Sequence, residues 1–159
     1  MHPLAEQLEA IGLMAAHESA IAELYRAYAV RFPQCEALFL RLASDEVEHA
    51  RLISALAAKV RVGEVQVNPG RFRGPALLSS LDFVRERLKE AQAGEVSITD
   101  ALAAARDLEL GLIEKRFFDA VEGDGPEVRD LLATLSEETA AHRTRIVDAP
   151  CQADRSRRC

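Results

Sequence analysis

Apolar residues recur at steps of three and four along four long stretches of this chain, and each stretch has polar side chains near the middle of its apolar row. The first stretch, Leu4 to Arg31, aligns Ile11, Met14, Glu18, Ile21, Tyr25 and Tyr28, with Phe32 at its exit. The second, from about Gln34 to Val60, aligns Leu38, Leu42, Glu46, His49, Ile53, Leu56 and Val60. The third aligns Ile98, Leu102, Ala105, Glu109, Ile113, Phe117 and Ala120. The fourth, Pro126 to about Ala149, aligns Val128, Leu132, Leu135, Thr139, His142 and Ile146. This spacing places each row on one face of a helix and predicts four long helices facing a shared core. A carboxylate or imidazole inside such a row loses hydration, which costs several kcal/mol unless the group is paired or bound to a cation.

The breaks between helices are legible. Pro33 disfavours helix in the residue before it and suits the first turn of the helix after it. The first two helices should therefore form a tight antiparallel hairpin. Glu18 precedes Pro33 by 15 residues, and Glu46 and His49 follow it by 13 and 16, so the three stand at matching heights. Ser97 and Asp100 resemble a capping box for the third helix. The run Glu122-Gly123-Asp124-Gly125-Pro126 reads as the turn before the fourth. Between Val60 and Ile98, Arg61 to Ser79 reads as irregular chain, and Ser80 could cap a short helix from Leu81 to Ala93 that ends at Gly94. That length suits a long crossover between the second and third helices, with a linker or lid as the competing reading. The halves repeat weakly: an acid on one helix of a hairpin, a histidine on the next.

Composition narrows the picture. A chain of 159 residues suits one domain, expected over residues 1–149, with a disordered tail over 150–159. Apolar residues make up 48% and aromatics only 5%, an all-α profile. The formal charge of −6 argues against a nucleic-acid or anionic-membrane partner. Cys35, Cys151 and Cys159 give no CxxC pair and no disulfide framework, so Cys35 reads as an unreactive thiol. No secretory signal and no membrane-spanning run is visible, which makes the cytoplasm the expected location. His17 lies off the apolar row and reads as solvated. Tyr25 and Tyr28 read as core, with hydroxyls reaching polar partners.

Set out this way, the chain resembles the ferritin-like superfamily of di-iron carboxylate proteins, and most of all its rubrerythrin-like branch. The resemblance covers about residues 4 to 149 and implies a four-helix bundle with the long crossover. The family places Glu on helix 1, ExxH on helix 2, Glu on helix 3 and ExxH on helix 4. Here Glu18, the pair Glu46 and His49, Glu109, and His142 stand at those positions. Glu114 competes with Glu109 if the register shifts. One position departs: spacing from Pro126 puts Thr139 where the last carboxylate belongs. Glu138, next door and four residues before His142, is the substitute; otherwise the second iron position lacks an anionic ligand. The resemblance implies two non-haem iron ions, with manganese or zinc as other metals for the same donors. It implies reduction of peroxide or dioxygen, or oxidation of ferrous iron. The electrons would come from an external donor, because the Cys-ligated iron domain of full-length rubrerythrins has no counterpart here. A degenerate module that binds metal or a partner without turnover is the alternative, and a homodimer suits an apolar flank.

Overall fold

The computed structural model describes residues 2–72, 74–123, 125–149 and 151. The fold is all-α, with six helices among the described residues: α1 (Leu4–Arg31), α2 (Glu36–Arg61), α3 (Gly74–Ala93), α4 (Ile98–Leu108), α5 (Leu112–Ala120) and α6 (Pro126–Val147). Two strands of two residues each, β1 (Gln66–Val67) and β2 (Val121–Glu122), pair antiparallel.

The α1–α2 hairpin forms as Pro33 dictates. A single 3-10 turn, Pro33–Cys35, joins the helices. Tyr25 and Tyr28 meet Phe39 near the turn, and Glu18 approaches His49 further along. The Ser97 hydroxyl caps α4, accepting the Asp100 backbone N–H and donating to the Asp100 carboxylate. This capping supplies a partner to an N–H that the first helical turn leaves without one.

Three expectations need correction. The crossover is more helical than its glycines and prolines suggest: α3 begins at Gly74, lies along α1, and holds Ser80 inside the helix instead of at its cap. The preceding segment is pinned by β1 against β2 and by the Val67 N–H donating to the buried Gln7 side chain. The third long helix is not continuous. It ends at Leu108, with Glu109 as its cap, and restarts at Leu112, with Gly111 at φ +65°, a left-handed conformation that costs a side-chain-bearing residue about 1–2 kcal/mol. Finally, Cys35 is joined to Cys151 in a disulfide linking the start of α2 to the residues after α6. This bond replaces the free Cys35 thiol, and the absence of any disulfide framework, expected from the cysteine spacing. Apart from Cys151, the tail lies outside the described residues. No helix among the described residues is long and apolar enough to cross a membrane.

The apolar interior falls into two clusters. One gathers Tyr25, Tyr28, Phe39, Leu42, Leu102 and Ile146. The other gathers Met14, Ile53, Leu56, Phe117 and Leu135. The central polar residues of the rows lie between these clusters in sequence on every helix that contributes to both.

Candidate metal centre

Among the described residues, four carboxylates and two of the imidazoles that meet in this middle zone are buried. Exposure is 3% for Glu18, 2% for Glu46, 1% for His49, 4% for Glu109, 8% for Glu114 and 0% for His142. Their ligand atoms form two groups. Glu18, Glu46 and His49 place one atom each within 4.8 Å of one another, and so do Glu46, Glu109 and His142. Glu46 belongs to both. Its Oε2 lies 3.3 Å from His49 Nδ1, and its Oε1 lies 3.1 Å from His142 Nδ1. The two imidazoles stack with centroids 5.3 Å apart.

Each imidazole is held from behind by a carboxylate. His49 Nε2 donates to Glu138 Oε2 at 2.7 Å. His142 Nε2 donates to Asp45 Oδ2 at 3.1 Å, and Arg145 donates to the same oxygen at 2.9 Å. A ring whose Nε2 donates outward turns its Nδ1 inward, bare when the ring is neutral and a donor when it is protonated, and His142 Nδ1 lies 3.2 Å from Glu109 Oε2. Around His49 Nδ1 stand oxygens of Glu46 at 3.3 Å and of Glu18 and Glu114 at 4.0 Å. Among the described residues, neither buried His49 Nδ1 nor buried Glu114 Oε1 finds a hydrogen-bond partner. A lone pair directed at carboxylate oxygens is repulsive unless a proton or a metal ion lies between them. The donor set therefore fits a cation, and buried orphan atoms are what a cation would satisfy.

The acidities of the cation-free cluster give the same result from another direction. Burial, then the charge of Glu46, pushes Glu18 up to about 8. Burial and the charge of Glu18 push Glu114 up to about 8. Burial and Glu109 push Glu46 up to about 7. Burial alone would lower His142, but hydrogen bonds and charge from Glu109 and Glu46 outweigh it and carry the ring to about 10. Near neutral pH the cluster thus holds protons where metal ions would otherwise supply positive charge.

The site differs from expectation at Glu138 and Glu114. Glu138 does not join the clustered carboxylates. Its side chain is 44% exposed and meets the outward nitrogen of His49. The additional inward carboxylate is Glu114, which is also the partner of Thr139. The Thr139 hydroxyl donates to Glu114 Oε2 and also lies within hydrogen-bonding distance of the Leu135 carbonyl, so it anchors this carboxylate in the interior. The break at Gly111 makes this possible. In an unbroken helix, residues five apart point about 140° away from one another, so Glu109 and Glu114 could not both face inward. A Cβ on Gly111 would also come within 3.1 Å of Thr139 Cγ2. The sequence signal was the isolated glycine itself.

Three neighbours complete the site. The Tyr25 hydroxyl donates to Glu109 Oε1 at 2.7 Å, and burial and the charge of Glu109 push its pKa well above that of free tyrosine. The Tyr28 hydroxyl, expected to find a partner, has none among the described residues. His17 is buried, not solvated, and bonds Ser80 of α3 at 2.8 Å. No protein-family model, curated protein or solved structure matches the chain.

Proposed function

We propose that the chain is a ferritin-like four-helix bundle in which α1, α2, the broken α4–α5 rod and α6 surround a two-metal carboxylate centre, with α3 on the long crossover. In this reading it is a rubrerythrin-like oxidoreductase that reduces peroxide or dioxygen with electrons from an external donor, or oxidises ferrous iron. The observation that carries the reading is Glu46, whose two oxygens each face a different inward-turned histidine nitrogen. A carboxylate so placed is suited to join two cations a few ångströms apart.

Glu18, His49 and Glu114 would hold one ion, and Glu109 and His142 the other. Mixed carboxylate and imidazole donors suit Fe(II) and Mn(II). Two iron ions held together would supply two electrons to an O–O bond. The remaining work falls to the protein. Glu138 and Asp45 orient the imidazoles from behind. Tyr25 holds a proton at its hydroxyl against Glu109, one atom from a candidate ligand oxygen. The apolar clusters on either side limit bulk water.

The test is anaerobic titration of chelator-treated protein with Fe(II), followed by addition of hydrogen peroxide with a reductant present. Two ions per chain and peroxide consumption are expected, with both lost in Glu46→Ala. Failure to retain stoichiometric metal would end the proposal. Thr139 at the position of the last carboxylate, with Glu138 half-exposed and meeting the outward nitrogen of His49, favours a second reading: a metal-binding module without turnover. Full loading with no peroxide consumption would select it.

A further inference from the structure

We propose that small exogenous ligands reach the buried carboxylates through a port between α1, α3 and the α4–α5 break, and that the His17–Ser80 hydrogen bond sets its width. The inference rests on the metal-centre reading above and adds a route and a size limit to it.

A cavity of about 250 Å³ is lined by Glu18, Glu46, Glu109 and Glu114. Two much wider grooves, of about 790 and 810 Å³, lie beside Val30 and beside Glu64, and neither is lined by any of these acids. The polar lining of the smaller cavity falls into three parts. Its floor is the acid cluster. Its mouth carries the exposed Arg116 of α5 and Asp107 of α4. Between these, His17 Nε2 and Ser80 Oγ meet at 2.8 Å and bridge α1 to α3. His17 is only 4% exposed, and its Nδ1 lies 3.4 Å from Glu18 Oε1, so the bridge stands directly beside the cluster.

The break at Gly111 belongs to the same feature. Gly111 also lines the cavity, so the interruption that brings Glu114 inward opens the wall at that height. The floor consists of carboxylates, which repel anions and organic acids unless metal ions neutralise them. The ligand class that fits is a neutral or singly charged molecule of a few heavy atoms with a lone pair for a metal, such as hydrogen peroxide or azide. A bulky alkyl hydroperoxide would have to part the His17–Ser80 bridge.

The probe is azide binding to iron-loaded, oxidised protein, followed by its charge-transfer absorption in a stopped-flow instrument. Ser80→Trp should slow azide association by about tenfold or more, within the range that association rates span among variants of one binding site. Ser80→Ala should speed it. Val30→Trp, in the groove away from the cluster, should leave it unchanged. Iron content is measured on every variant. Equal azide rates in wild type, Ser80→Ala and Ser80→Trp at equal iron content would overturn the port and leave the metal centre standing. If Ser80→Trp fails to fold or load, the Ser80→Ala acceleration decides the question. A wild-type protein that loads no iron removes the metal-centre reading, and the port with it.

Discussion

Raising the pH should destabilise the metal-free protein in a range where most proteins are near their optimum. Glu18 ionises at 4.5 in an unfolded chain but at about 8 here, because burial and the Glu46 charge disfavour the anion. A carboxyl group shifted upward contributes its full stability below the unfolded value and loses it as pH climbs towards the folded one. At 1.36 kcal/mol per pH unit, moving from pH 4.5 to 7 removes about 3 kcal/mol through Glu18 alone. Glu114 acts with the same sign but adds less than an independent group, since the Glu18 charge is among the causes of its shift. His142, raised from 6.5 to about 10, extends the loss above pH 6.5. For a domain of this size, 1 kcal/mol corresponds to about 2–4 °C in Tm, so Glu18 alone predicts a fall of about 6–12 °C. Bound metal ions would keep the acids ionised and flatten the dependence. Differential scanning calorimetry between pH 5 and 8, with chelator and with Mn(II), reads both curves, and Glu18→Gln should shrink the fall in the chelated protein. A chelated wild type whose Tm is flat or rises over this range would refute the reasoning.

Gly111→Ala should lower stability by about 1–2 kcal/mol in urea denaturation from its left-handed backbone alone, and should weaken metal binding by displacing Thr139 and Glu114. Asp45→Ala should leave the helical circular dichroism unchanged while reducing Mn(II) affinity about 10–100-fold by calorimetric titration, since His142 loses the group that orients it. Cys35→Ser should cost about 2–5 kcal/mol, because the Cys35–Cys151 bond closes a loop spanning 116 residues of sequence; urea denaturation of the variant against the oxidised wild type measures it.

The helices and most of the inward-facing residues were readable from sequence because a helix obeys a local rule. Periodicity alone put Glu18, Glu46, His49, Glu109 and His142 in apolar rows, and Pro33 fixed the relative height of the first three. The same periodicity concealed the break at Gly111. Ile113, Phe117 and Ala120 continue the row of Ile98, Leu102 and Ala105 as if the helix were whole, yet one left-handed residue re-aims the chain. Whether Glu114 or Glu138 turns inward depends on that local geometry and on Thr139 waiting across the interior, neither of which a spacing rule contains. His17 was misjudged for a related reason. Its place off the row of α1 says nothing about α3, which covers that flank and supplies Ser80. Nor does spacing reveal that Cys35 and Cys151 meet, since their approach is set by how α6 returns along α2. Chain order thus determined which side chains face inward along each rod. Only packing of one rod on another decided which of them meet, because contact between distant segments is a property of three dimensions and not of any window of sequence.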